Sequence, residues 1–243
     1  MKLQHKAWAL VLVIVGLCAG CAMLGARAIV QSSFDRIEAD RAEHEGERAR
    51  RVLEQQQLAL AATARDYAFW SDAVAFVQGR KPGFLADNFS AENLGYLRIS
   101  QVLVHDASGR PVASALNHGG NRPPGPVPQP EQLSLKPLVV QVLGSPDPKR
   151  VLQTLRLDNG VLELVVVAAI HWPDKPERGS QGTITLVRRL DAVELERFSK
   201  VLMTPIVLSA DLHEPADIHR HAVSDESEAL HVKLRDQQGV AAV

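Results

Sequence analysis

Beyond Gly25 the 243-residue chain has no cysteine; its two, Cys18 and Cys21, both fall in an apolar N-terminal run. Everything after that run is therefore without a disulfide framework, a thiolate zinc site or a cysteine nucleophile. Lack of thiols is compatible with an oxidising compartment without requiring one. Net charge is nearly lacking too, with 27 basic against 28 acidic residues, so the electrostatic footprint of a nucleic-acid binder is missing. No phosphate-cradling glycine loop, nucleophile elbow or zinc-hydrolase helix motif occurs. The expectation is a chain that binds rather than catalyses, with no cofactor.

What is present begins at the N-terminus. Lys2 and Lys6 precede Ala7 to Ala26, twenty residues without a charge. At about 1.5 Å each they span roughly 30 Å, the thickness of a bilayer's hydrocarbon core. Positive charge before the span predicts a cytoplasmic N-terminus, with everything after Arg27 outside. A cleaved secretory signal has a shorter apolar core. Cys18-Ala19-Gly20-Cys21 resembles a lipoprotein processing box, with Cys21 as the lipidated residue and Cys18 where leucine is usual. All three readings export the remainder. The expected organisation is a cytoplasmic N-terminus and transmembrane anchor over 1–31, a long stalk helix over 32–78, and a folded extracytoplasmic domain over 79–243 whose C-terminal part is incomplete.

From Ser32 to Gln78 there is no proline and one glycine, Gly46, in a composition suited to a long helix. Leu53, Leu60, Tyr67 and Val74 recur every seven residues, with Gln56, Thr63, Trp70 and Val77 in the intervening register. Unbroken, this helix would be about 70 Å long. Its heptads predict a homodimer. Tyr67, Trp70, Val74 and Val77 share one helical face, with Asp66 and Asp72 off the stripe. Trp70 is expected first as a core anchor, whose loss costs about 3–5 kcal/mol, and second as the wall of a ligand pocket.

Gly79 to Gly83 breaks the helix, and Phe84 to Leu97 is a short irregular or helical connection containing Asn88. Strands are expected at Ile99 to His105 and Pro111 to Leu116, joined by the turn residues Asp106 to Arg110. Gly119-Gly120 and five prolines make His118 to Pro130 a loop, and Glu131 to Leu143 a modest helix despite Pro137. Arg150 to Leu157 and Val161 to His171 flank the hairpin turn Asp158-Asn159-Gly160. Val165 to Ile170 is apolar at every residue, which predicts a central strand covered on both faces. Gly182 to Leu190 is a further strand, followed by a helix to Lys200 that Asp191 caps with Glu194 as its capping-box partner. Pro205 to Ser209 and Leu230 to Leu234 complete the predicted strands.

The order Asp66-Tyr67-Ala68-Phe69-Trp70-Ser71-Asp72, closed by Phe76-Val77, resembles the mark of the fourth class of CHASE domains, extracytoplasmic sensor modules of membrane-bound signalling proteins. Asn88, the strand from Ile99 to Asp106 with Gly109 behind it, and Gly182 to Leu190 with Asp191 are similar as well. The similarity covers Phe34 to Lys200. Tyr67 stands where Trp is commoner, Ser71 where a second acid is usual and Val74 where Tyr is usual. The resemblance implies an α+β, PAS-like or Cache-like domain: a long N-terminal helix on an antiparallel sheet. It also implies control of a cytoplasmic diguanylate cyclase, cyclic-dinucleotide phosphodiesterase or histidine kinase outside this chain. Asp66, Tyr67, Trp70, Asp72 and Asn88 are the candidate ligand contacts, for an unidentified small molecule or protein. The alternative is a singly anchored or lipidated envelope protein that binds a partner and transmits nothing. His213, Glu214, Asp217, His219 and His221 form a weak candidate metal set, with His219 and His221 on one side of a strand.

Overall fold

A computed structural model describes the backbone of residues 2–203, 206, 218–224 and 227–232, and the side chains of residues 16–27, 41, 44–175, 177–203 and 206. The chain divides into two compact units, Met1–Glu47 with Arg220–His231, and Arg48–His219 with Val232–Val243. The first holds the start of helix α1 (Lys2–Ala68). Among the described residues no helix is long and apolar enough to cross a membrane; the side chains of the apolar run from Ala7 to Ala26 lie partly outside them. The strands β6 (Ile218–Ser224) and β7 (Ser227–Val232) pair as a separate two-stranded sheet. His213 and the side chains of His219 and His221 lie outside the described residues, as does nearly all of the strand expected at Pro205 to Ser209.

The second unit is α+β. Its five-stranded antiparallel sheet has the order β2-β1-β5-β4-β3, from β1 (Gln101–Asp106), β2 (Pro111–Leu116), β3 (Val151–Asp158), β4 (Val161–Ile170) and β5 (Gly182–Leu190). Local chemistry sets the turns. Asn159 and Gly160 both take positive φ, 49° and 78°, the mirror-image turn that matches the twist of the β3–β4 hairpin. Asp106 Oδ1 accepts the backbone N–H groups of Ser108 and Arg110 and closes the β1–β2 turn.

Both faces of the sheet are covered. On one, Leu60, Ala61, Ala64 and Ala68 of α1 pack with Val102, Val104, Leu162, Leu164, Val166, Ala168, Ile184 and Leu186. On the other, Leu135, Val139 and Val142 of α5 (Gln129–Leu143) pack with Leu103, Val165, Val167, Ala169 and Val187. β4 thus feeds alternate residues into two separate apolar layers, which is why its sequence shows no alternation. Its one buried charge, Glu163, is held by Arg156, whose Nε donates across 3.1 Å, and by Arg189 at 3.5 Å. Burial still pushes this carboxyl above its ordinary value, and the two guanidiniums offset that only in part. Helix α6 (Ala192–Leu202) starts on Asp191, whose Oδ1 accepts from the N–H groups of Val193 and Glu194. Glu194 forgoes the reciprocal capping bond and turns to Arg98 and Arg197.

Two helical expectations need correction. The predicted helix from Ser32 to Gln78 is not continuous: α1 ends at Ala68, and α2 (Ser71–Val77) begins after Phe69 and Trp70. Trp70 has extended backbone, φ −82° and ψ 137°, and serves as the N-cap of α2. The chain changes direction there, so the stripe through Tyr67, Trp70 and Val74 is interrupted. Val74 is fully buried, Tyr67 is half-buried, and Trp70 is 43 % exposed. Trp70 is therefore not a core anchor. The core of this region is built by Phe76, Phe84 and Phe89, the last two from α3 (Phe84–Asn88) and its C-terminal end. With close to half of its ring wet, Trp70→Ala costs about 1–2 kcal/mol in urea unfolding, below the range for a buried aromatic.

Candidate functional site

The joint between α1 and α2 collects part of the predicted set. The Tyr67 ring lies 4.9 Å from that of Trp70 and 4.6 Å from that of Phe89, both tilted, so Tyr67 bridges the exposed indole to the buried phenylalanines. Burial raises the Tyr67 phenol above its ordinary value. Phe69, 42 % exposed, packs edge-on against the His171 ring at 5.3 Å. Beyond it, Arg80 and Arg178 lie 5.7 and 6.0 Å from the centre of the Trp172 ring.

The polar members of the set are dispersed. Asp66 is exposed. Asp72 is paired with Lys81, both partly solvated, an arrangement of small energetic weight. Asn88 serves its own surroundings: its Nδ2 donates to the Phe84 carbonyl at 2.8 Å, and its carbonyl accepts from Asn93 Nδ2 at 3.2 Å. Tyr67 and Trp70 are thus brought together, whereas Asp72 and Asn88 are occupied elsewhere.

Two arrangements had no signal in the sequence. The first centres on Arg188, in the second half of β5 and 7 % exposed. Its Nη1 donates to Gln56 Oε1 of α1 at 2.7 Å. Its Nε and Nη2 donate to the Arg98 and Leu97 carbonyls at 3.1 and 2.9 Å. Those carbonyls belong to the end of α4 (Ala91–Leu97), where the helix leaves acceptors unfilled. Glu194 of α6 is near enough to act on the guanidinium electrostatically, and also pairs with Arg98 at 3.9 Å. One buried cation therefore ties β5 to α1 and to α4, and lies within the field of α6.

The second arrangement lies on the opposite face of the sheet. His105 and Thr183 are directly paired across β1 and β5, and Thr185 sits opposite Leu103. All three side chains are buried, at 3 %, 0 % and 0 % exposure. His105 Nδ1, Thr183 Oγ1 and Thr185 Oγ1 have no hydrogen-bond partner among the described residues. Gly182 lets the two strands close here, since a Cβ on it would lie 2.2 Å from the His105 carbonyl oxygen. The β1–β2 register also shifts at Val104/His105, as at a bulge.

The model of the CHASE4 domain matches residues 52–209, more than half of the chain. The chain belongs to the CHASE4 family. CHASE4 domains are extracytoplasmic sensory domains of signalling proteins. No curated protein matches the chain. The matched segment of this CHASE4 domain begins one turn before Gln56 and takes in the aromatic joint, the Arg188 knot and the His105–Thr183–Thr185 patch.

Two measurements check these assignments. Arg188→Leu leaves the Gln56 amide and the Leu97 and Arg98 carbonyls without their donor, and costs about 2–4 kcal/mol in urea unfolding. His105 is held below its ordinary value of 6.5 by burial, against the opposing pull of Asp106. The unfolded chain therefore takes up a proton that the folded chain refuses, and stability falls as pH drops through the window below 6.5. That acid-side loss is expected to be smaller in His105→Gln when both proteins are unfolded across the same pH series.

Proposed function

We propose that the chain is the extracytoplasmic input domain, PAS-like or Cache-like in kind, of a membrane-bound signal-transduction protein. Its output is a diguanylate cyclase, a cyclic-dinucleotide phosphodiesterase or a histidine kinase in the cytoplasm, and the chain itself works by binding. The family match over residues 52–209 carries this reading. The uncharged run Ala7 to Ala26 after Lys2 and Lys6 supports a single span with the main domain in the periplasm, and the heptads of α1 support pairing with a second copy.

A sensory domain must bias the helix that leads to its output, and a ligand does so only by binding one arrangement better than another. The Arg188–Gln56 bond supplies a contact through which such a bias reaches α1. The test is topological. Alkaline phosphatase joined after Val243 is expected to be active in intact bacteria and to sediment with membranes. An inactive fusion that becomes active only on lysis would place the domain in the cytosol and end the sensory-exterior reading.

A further inference from the structure

Resting on that sensory reading, we propose that the ligand is taken on the sheet face under α5, at His105, Thr183 and Thr185, and that it is a small uncharged molecule bearing both a hydrogen-bond donor and an acceptor.

The observation is a cluster of unmet polar atoms where the fold has least reason to place them. β1 and β5 use their backbone groups in the ladder, His105 against Thr183 and Leu103 against Thr185. By strand alternation His105, Thr183 and Thr185 fall on the face of the sheet that α5 covers, where Val139 and Val142 are buried in the same layer as Leu103, Val167, Ala169 and Val187. An apolar side chain would satisfy every packing demand there. Three neighbouring positions instead carry an imidazole Nδ1 and two hydroxyls, none bonded to another and none to the rest of the described structure. Buried polar groups are as a rule matched. Among the described residues Gln101 Oε1 and Glu163 Oε1 are also without a hydrogen-bond partner, but each of those side chains is bonded through its other polar atom, to Glu131 and to Arg156. The three orphans side by side at His105, Thr183 and Thr185 mark a place for something not supplied by the chain.

The surroundings set the chemistry of the guest. An anion or a cation would need a counter-charge, and the charges of this face are committed at its other end. Glu163 is held by Arg156 and Arg189, and Gln101, four residues before His105 along β1, is bonded to Glu131. Asp106, next to His105, is engaged by Arg110 at 3.1 Å and by two backbone N–H groups of its own turn. A neutral imidazole offers one donor and one acceptor, and each threonine hydroxyl can act as either. Leu103 and Val167 flank Thr185 across the ladder and Ala169 flanks Thr183, so an apolar remainder on the guest would meet apolar neighbours. The site therefore fits an amide or hydroxyl group on a short hydrocarbon, and it discriminates against the charged isostere.

Acetamide and acetate have the same size and differ in charge, which makes them the probes. Full chain carrying carbon-13 in its threonine methyl groups is titrated with each and followed by NMR. Acetamide is expected to shift the Thr183 and Thr185 methyl signals to saturation, with acetate at least about tenfold weaker. Thr183→Val and Thr185→Val remove a hydroxyl without changing volume in an apolar layer, so both fold; with the other threonine as reporter, each is expected to weaken acetamide binding several-fold. Shifts that stay linear in acetamide, equal binding of acetate, or unchanged acetamide affinity in both valine variants would each overturn the proposal. So would a crystal structure grown in acetamide in which ordered water alone bridges the three atoms. None of these results bears on which side of the membrane the domain occupies, so the phosphatase fusion judges the sensory reading separately.

Discussion

Burial of β4 and β5 on both faces at once is the constraint from which the rest of this domain follows. With α1 on one side and α5 on the other, nearly all of their side chains are cut off from water, while the backbone is satisfied sideways by the ladder. A polar side chain on these strands must then be matched inside the protein or remain conspicuous. Glu163 is matched by two arginines, and Arg188 by two helix-terminal carbonyls and an amide. Thr183 and Thr185 are matched by nothing within the described chain. The same constraint that makes the sheet stable makes its exceptions informative.

Much of the sheet was legible because its determinants are local. Asn-Gly selects one hairpin turn, an unbroken apolar run can only be doubly covered, and an aspartate followed by a helix-forming stretch caps it. Strands and helices from Ile99 to Lys200 accordingly fall where spacing and turn chemistry put them, to within a residue or two. The break at Phe69 and Trp70 escaped because helical periodicity continues across it: Tyr67 and Val74 both face inward whether or not the chain turns between them. No proline or glycine marks the place; the break is stabilised by where the aromatic rings end up, which is tertiary information.

The site was less legible than the fold for a related reason. A strand with Arg188-Arg189 just before its last residue looks like a solvated terminus, and only the approach of Gln56, 132 residues away, shows that the first guanidinium is inside. Threonine is an ordinary strand residue, so Thr183 and Thr185 carry no signal until α5 is laid over them. Asn88 misled in the other direction. An amide beside an aromatic segment suggests a ligand contact, yet its donor is spent on the carbonyl four residues back. Residues that interact over short sequence distances advertise themselves; those whose meaning depends on a distant partner do not.

Alternation along β5 puts the two unannounced arrangements on opposite faces of one strand, which under the proposal would make them one device. Residues 183 and 185 point to the α5 side and residue 188 to the α1 side, five residues or fewer apart on a strand that then enters α6 through the Asp191 cap. A close-packed strand cannot shift at one end and stay fixed at the other, so a guest that pulls on the threonines is felt at the guanidinium. Allosteric coupling of about 1–3 kcal/mol suffices for a sensor, which is the scale of the charged hydrogen bonds Arg188 makes to Gln56 and α4. Tightening or loosening that knot by one bond would bias the packing of α1 on the sheet. On the proposed reading the strand itself, with its two faces serving two partners, would be the shortest physical route from binding to output.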